Sequence, residues 1–331
     1  MTPSLCFLRR RFLALAAAPL ALAVQAQFAF AADGAYPNRP IKIIVPYTPG
    51  TSADTFARML SEPLGQRLGQ TVVVENKAGA ATAIGTAFVA KAPPDGYTLM
   101  MSLNSHVITP ASRKSPYDPV KDFDAIGQIV DGQLAVLVHP SNPADTFPQL
   151  VEHLRKQGDA ASYSSPGTGS TTHLYTLVLQ DMLGTKMRHI PANGMNVATM
   201  DVMQNNSTMI IGTVENARTL VASGKLKAIA QTGKTPSPSL PGVPSIAQSG
   251  YPDFDFSTYL GLYAPAGTPR EIILRLNKEV GAVMDTPQMR RSASEKGYDV
   301  VLTSPEAFAE LTRREFEQWK RVIKDHGLQA D

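Results

Sequence analysis

Twice in this chain an apolar run gives way to a loop of glycine and hydroxyl residues that opens a helix, a unit that belongs to α/β sheets. The first is Pro40 to Met59, PIKIIVPYTPGTSADTFARM. Ile41, Ile43, Ile44 and Val45 read as a buried strand, Ser52 as the N-cap, and Asp54 as an acid in the first helical turn. The second is Ser164 to Leu174, SSPGTGSTTHL, leading into a helix with Leu174, Leu177, Val178 and Met182 on one face and Gly184 at its end. A buried strand feeding such a loop aims backbone N–H groups and the positive end of the helix dipole at one point, where carboxylates and phosphates bind well. A plain β–loop–α connection has the same local look. It is the pair that carries weight, because each loop can supply half of a site closed between two lobes.

Strands and helices alternate around these units. Thr71 to Glu75 reads as a strand, followed by a turn at Gly79 and an Ala-rich helix over Ala83 to Ala90. Pro93-Pro94-Asp95-Gly96 is a turn, and Tyr97 to Met101 a further strand. Ala125 to Val130 and Leu134 to His139 are short apolar runs around Asp131-Gly132. Beyond Pro140, Phe147 to Gln157 reads as an amphipathic helix, with strands at Ala161 to Ser164, Met187 to Ile190, Thr208 to Ile211 and Leu226 to Gln231. Thr235 to Pro244 is predicted to be a surface loop. Thr268-Pro269-Arg270-Glu271 reads as a capping box before Ile272, Ile273, Leu276 and Val280. Ser304-Pro305-Glu306 starts a last helix that buries Phe308, Phe316, Trp319 and Ile323, with Trp319 a core residue. The alternation predicts a parallel α/β sheet, and the length predicts two domains.

The first residues predict export. Arg9, Arg10 and Arg11 form a basic start, Phe12 to Val24 an apolar run well short of the roughly 20 residues that span a bilayer. Cleavage is expected after Ala31 or Ala26, so that 1–31 is a signal peptide, and Arg9-Arg10-Arg11-Phe12-Leu13 also fits the twin-arginine pattern. The 31 basic and 28 acidic side chains include those three arginines and no acid of the leader, so the mature balance is 28 against 28. Nothing in that balance points to nucleic acid or a membrane surface. The single cysteine, Cys6, also leaves with the leader, which excludes disulfides and thiol chemistry from the mature chain.

Seven segments in order, RPIKIIVPYTPGTSADTFAR, VVVENKAGA, APPDGYTLMM, GTGSTTHL, ASGKLKAIAQT, LPGVPSIAQSG and GLYAPAGTP, resemble the Bug-type receptors. These are the periplasmic substrate-binding proteins of tripartite tricarboxylate transporters. The resemblance runs from about Tyr36 to the C-terminus and implies an α/β, type II periplasmic binding protein fold, with two α/β lobes and a ligand cleft. The lobes would be joined by crossing strands at Leu134 to His139 and Thr258 to Ala264. Lobe one would be 33–138 plus 257–331, and lobe two 139–256. It further implies a monomer without cofactor that closes by hinge bending on a small mono- or dicarboxylate and delivers it to the membrane permease of a tripartite tricarboxylate transporter. Tyr47, Thr48, Gly50, Thr51, Ser52 and Asp54 would form one wall. Gly167, Thr168, Gly169, Ser170, Thr171 and His173 would form the other, with Asn193 and Gly194 beside them.

The departures from the family pattern bear on the ligand. Thr51 stands where the first loop usually carries the second glycine of a pair. Ile190-Pro191-Ala192-Asn193-Gly194 replaces the common VPYKG, and Gln204-Asn205-Asn206-Ser207-Thr208 replaces GGQVD. The pocket floor is therefore expected to differ in size and charge, and the family's substrates do not transfer.

Several residues have two readings. His173 either orients its loop or faces the cleft, and Asp54 grips either the loop or a ligand amine. Ser170 near His173 raises an exported serine hydrolase as a rival, but GTGST lacks the G-x-S-x-G spacing and no partner acid is evident. A ligand-sensing partner of a signalling receptor is a further alternative to transport. His106, His139, His153, His189 and His326 show no metal-ligand spacing, so no metal site is predicted.

Overall fold

The computed structural model describes residues 36–328, so the leader, its cleavage options and Cys6 lie outside the described residues. Strands β1 (Ile41–Val45), β2 (Val72–Asn76) and β3 (Thr98–Leu103) run parallel with β1 in the middle. Ile41, Ile43, Ile44, Val45, Leu99, Met100 and Met101 are fully buried, as expected for strands covered on both faces. The sheet also contains β4 (Phe123–Gly132), β10 (Thr258–Pro265) and β11 (Tyr298–Val300), in the order β11-β4-β10-β3-β1-β2. β10 is antiparallel to both β3 and β4, and β11 to β4. The sheet is thus mixed rather than parallel, because β10 enters only after the chain has returned from a second sheet.

That second sheet has the order β7-β6-β8-β5-β9. Its strands are β5 (Leu134–Val138), β6 (Ser162–Ser165), β7 (Arg188–Pro191), β8 (Met209–Thr213) and β9 (Lys227–Gln231). β6 is parallel to β7 and β8, while β5 is antiparallel to β8 and β9. β5, counted with the first lobe on sequence grounds, pairs entirely within this sheet. The chain passes between sheets at Gln133 and returns through 232–257. The two passages are tied together: Thr258 Oγ1 donates to Gly132 O at 2.9 Å, and Ser257 Oγ donates to Asp131 Oδ1.

Helices α1 (Ser52–Leu68), α2 (Ala83–Ala90) and α3 (Ser105–Ser112) follow β1, β2 and β3. In the second half α4 (Phe147–Gln157) precedes β6, and α5 (Thr171–Leu183), α6 (Met195–Met203) and α7 (Val214–Ala222) follow β6, β7 and β8. The chain ends in α8 (Arg270–Met284), α9 (Pro287–Glu295) and α10 (Pro305–Asp325). The largest core joins the two halves: Val107 and Ile108 of α3 and Trp319 and Ile323 of α10 share it with β5, β6, β8 and α5. Trp319 is fully buried and stacks on Tyr175 at 5.4 Å, so its core assignment holds. Burying such a ring contributes about 1.5–3 kcal/mol, which fastens α10 across both sheets.

Two local expectations change. The capping box at Thr268 does not form, since Pro269 is the N-cap without a side-chain bond and Thr268 Oγ1 donates instead to Pro265 O at 2.7 Å. Asp124 collects the Gly267 and Thr268 N–H groups at 2.8 and 3.0 Å and anchors that turn. The 235–244 segment is a loop, but Ser237 and Leu240 within it are buried. They pack around the buried amide of Gln231, which accepts from Ser237 N at 3.0 Å and donates to Leu240 O at 3.1 Å. Ser304 does cap α10, accepting from Ala307 N at 3.2 Å.

Candidate functional site

Parallel strands in an α/β sheet send the loops at their carboxyl ends to one side, and ligands bind there. Between β1 and α1, residues 46–51 form such a loop. Its N-cap is Thr51 rather than Ser52: Thr51 Oγ1 accepts from Asp54 N at 3.5 Å and donates to Thr48 O at 3.1 Å. Asp54 is almost fully buried and commits both oxygens to the protein. Oδ2 accepts the Gly50 N–H at 3.0 Å, and Oδ1 accepts Arg58 Nε at 3.0 Å. Burial alone pushes this carboxyl up, but the bonds from Arg58 and Gly50 outweigh it and hold it below the usual range. Asp54 therefore grips the loop. Arg58 continues to Asn76 Oδ1 at 2.9 Å, and Asn76 Nδ2 returns to Tyr47 O at 3.1 Å, closing a brace around the turn.

Tyr47 turns its hydroxyl inward, against Ser105 Oγ at 2.5 Å and Ser102 Oγ at 3.1 Å, and accepts from Leu103 N at 3.0 Å. Burial raises its pKa above the ordinary value. What the loop leaves exposed is Thr48, Pro49 and Gly50, beside the Ser52 and Ala53 N–H groups at the start of α1, which have no intrahelical acceptor. The Ser52 hydroxyl has a partner in Tyr298, whose ring packs edge-on against Phe56 at 5.2 Å.

The β6–α5 loop, residues 166–170, is built the same way from different parts. Ser170 is the N-cap and accepts from His173 N at 3.4 Å. His173 Nδ1 accepts the Gly169 N–H at 2.9 Å. Gly169 has φ +77°, a conformation that costs a side-chain-bearing residue about 1–2 kcal/mol. An Nδ1 that accepts a hydrogen bond carries no proton, so His173 is neutral, and burial together with the neighbouring His189 pushes its pKa down to about 4. His173 stacks on His189 at 4.1 Å, and His189 on Tyr163 at 4.9 Å. His189 Nε2 meets Ser165 Oγ at 2.7 Å, and Ser165 Oγ also donates to Gly167 O and accepts from Gly167 N. The imidazole pair thus supports the loop from behind through Gly169 and Ser165. Among the described residues, Ser170 Oγ meets His173 through that residue's backbone N–H and not its ring, so the imidazole does not activate it as a nucleophile.

Ala192 N donates to Ser165 O at 2.9 Å and Gly194 N to Pro166 O at 3.2 Å, which seats Asn193 and Gly194 beside this loop. Gly167, Gly169, Ser170 and Thr171 remain partly accessible and Thr168 is exposed. The two loop systems are linked side chain by side chain. Tyr47 bonds the end of β3, and Asn104 at that end donates Nδ2 to Tyr175 OH of α5 at 2.8 Å. Tyr175 then donates to Ser257 O in the return passage at 2.6 Å. The openings of α1 and α5 are therefore referenced to one another through Asn104.

Sequence reading missed Ser102, Asn104 and Ser105, although a polar Ser-Leu-Asn-Ser run closing an apolar strand is a usable signal. It also missed the β2–α2 loop. Ala80, Ala81 and Thr82 carry φ values of +46°, +50° and +79°, three consecutive left-handed non-glycine residues. Each costs on the order of 1–3 kcal/mol and needs external support. Thr109 Oγ1 of α3 supplies some of it by donating to Ala81 O at 3.0 Å. The Gln204–Thr208 segment, expected to form part of the pocket floor, precedes β8 and lies at the amino-terminal end of the sheet, away from the loops. Among the described residues no His, Cys, Asp and Glu cluster could hold a metal ion, and no helix is long and apolar enough to cross a membrane.

Residues 56–328 match the family described as "Tripartite tricarboxylate transporter family receptor". The solved structure of the periplasmic binding protein BugD is 32% identical, with 89% of this chain and all of that one covered, at a TM-score of 0.70. Rpa4515 of R. palustris, solved with adipate, is 27% identical at a TM-score of 0.72, over 88% of this chain and 98% of that one. MatC of Rhodopseudomonas palustris, solved with malate, is 27% identical at 0.69, over 87% and 100%.

Proposed function

The chain belongs to the tripartite tricarboxylate transporter receptor family, periplasmic and non-enzymatic solute receptors, and we propose that it captures a small mono- or dicarboxylate between its two loop systems. The observation that carries this reading is the pair of helix openings at Thr51 and Ser170. Each is braced by a buried side chain, Asp54 accepting the Gly50 N–H in one and His173 accepting the Gly169 N–H in the other, with Thr48 and Thr168 exposed on the two loops. Two relatives bound to adipate and malate support the ligand class. Thr48, Gly50, Thr51 and Ser52 form one wall of the site, and Gly167 to Thr171 with Asn193 and Gly194 the other. Tyr47, Asp54 and His173 act from behind by fixing loop shape.

The two sheets are the two lobes, and Gln133 with 232–257 is the hinge. Closure expels water, so each bond to the anion strengthens as the local dielectric falls. A charge-assisted bond contributes about 1.5–3 kcal/mol, and a few of them reach the roughly 8 kcal/mol of micromolar binding. The leader exports the chain, which acts as a monomer, and the closed form docks on a membrane permease of the tripartite tricarboxylate type. Titration calorimetry of the mature protein with malate, adipate and related acids tests the reading. Ser170→Ala and Thr48→Ala are each expected to weaken binding about tenfold or more. Unchanged affinity in both variants, or binding of sugars and cations but of no acid, rejects it.

A further inference from the structure

At the end of the second sheet remote from these loops, where β6, β7 and β8 begin, lies a separate polar cavity of about 330 Å³. Ser162 and Arg188 sit side by side at the starts of β6 and β7, and Thr208, just before β8, donates its N–H to Ser162 O at 3.1 Å. Ser141, His153 and Gln157 contribute from one side and the Asn205-Asn206 turn from the other. Asn205 holds that turn in the left-handed region at φ +59°, which asparagine tolerates. Thr208 Oγ1 donates to Gln157 Oε1 at 3.2 Å, which fixes the amide across the cavity floor.

Among the described residues no carboxylate lines the cavity. Asp145 is paired with Lys227 at 2.8 Å and Glu152 with Lys156 at 2.7 Å, while Asp159, next to the lining residue Ala160, is exposed. Arg188 makes no ion pair and no side-chain hydrogen bond among the described residues. The guanidinium shares the cavity with hydroxyls, side-chain amides and the His153 ring.

We propose that this cavity is a second binding site, independent of the interlobe cleft, for a small oxyanion of the phosphate, sulfate or carboxylate kind. The planar fork of Arg188 takes two oxygens of such an anion at once, and the Asn205 amide supplies a further donor beside it, with the second N–H of Asn206, whose other N–H donates to Gln204 Oε1 at 3.1 Å. The site does not depend on the cleft reading, since its residues come from the opposite ends of the strands.

Calorimetry of the mature protein against sodium phosphate, sodium sulfate and sodium malate, at ionic strength matched with sodium chloride, tests it. Saturable binding at millimolar concentration is expected for at least one of the three. Arg188→Ala is expected to weaken it about tenfold or more while keeping the wild-type thermal midpoint and cleft affinity, because Arg188 is exposed and packs into no core. Ser170→Ala is expected to leave this second event unaltered. Phosphate or sulfate binding without competition by malate assigns an inorganic anion, and displacement by malate assigns an organic acid. No saturable event with any of the three up to tens of millimolar, the same affinity in Arg188→Ala, or loss in Ser170→Ala overturns the proposal.

Discussion

Asp54→Asn is the substitution whose consequences the structure fixes most closely. The two donors on Asp54, Gly50 N–H and Arg58 Nε–H, each reach a different oxygen at 3.0 Å. Asparagine has one acceptor oxygen and one NH2 group, so one of those donors must face another donor. Losing the bond to Gly50 costs about 1.5–3 kcal/mol, as for other hydrogen bonds to a charged partner. The Arg58 contact adds less than about 1 kcal/mol, since the Arg58 side chain is 54% exposed and solvent screens the pair. The expected loss is about 2 kcal/mol, read as a lower urea midpoint by Trp319 fluorescence at neutral pH. Carboxylate affinity is expected to fall about tenfold as the Gly50 turn loosens. The pH dependence supplies a second check. Asp54 titrates below the ordinary range when folded, so its contribution is complete above the unfolded-state pKa and is lost as pH falls through the depressed one. The gap between wild type and Asp54→Asn should therefore close on acidification. Equal midpoints at pH 7, or a gap that widens in acid, would refute the bracing role.

Further expectations concern the hinge region and the pH profile. Glu315 turns its carboxyl inward beside Tyr259 and Trp319, and burial pushes its pKa up to about 8. The folded state then keeps a proton that the unfolded state has released, so stability falls as pH rises toward 8, by about 1.4 kcal/mol per unit at most. Glu315→Gln should flatten that slope in urea titrations between pH 6 and 8, and an unaltered slope would assign it elsewhere. Gly297 has φ +77°, and a Cβ there would sit 3.0 Å from Glu215 N of α7, in the opposite lobe. Gly297→Ala should cost about 1–3 kcal/mol of stability and separate α7 from the α9–β11 turn, lowering carboxylate affinity; wild-type values for both would contradict a close approach there. His173→Ala removes the acceptor of Gly169 N–H, and thermal shift with malate or adipate should shrink even where the apo midpoint survives. A full shift would return His173 to a passive role.

What the sequence discloses depends on how local the cause is. The two helix openings are legible because their caps are short-range hydroxyl and acid pairings, and the first is displaced by a single residue, from Ser52 to Thr51. The stripe of Phe308, Trp319 and Ile323 is legible because helical period and burial coincide. Thr268 shows the limit, since its hydroxyl finds Pro265 O in a turn that only the fold creates. Likewise the stacking of His173 on His189, which comes from the next strand, has no local signal. The bonds of the Tyr47 hydroxyl to Ser102 of β3 and Ser105 of α3 span more than fifty residues and are not visible in any local stretch. The antiparallel entry of β10 and the placement of Gln204 to Thr208 away from the loops are facts of topology, which no window of residues encodes.

The central claim is that both helix openings hold one acid at once, and amide-resolved NMR of the mature protein titrated with malate and adipate tests it most directly. The account predicts that the N–H signals of Gly50 to Ala53 and of Gly169 to Thr171 move together and saturate with a single dissociation constant. Shifts confined to one of the two loops, or different constants for each, would contradict it.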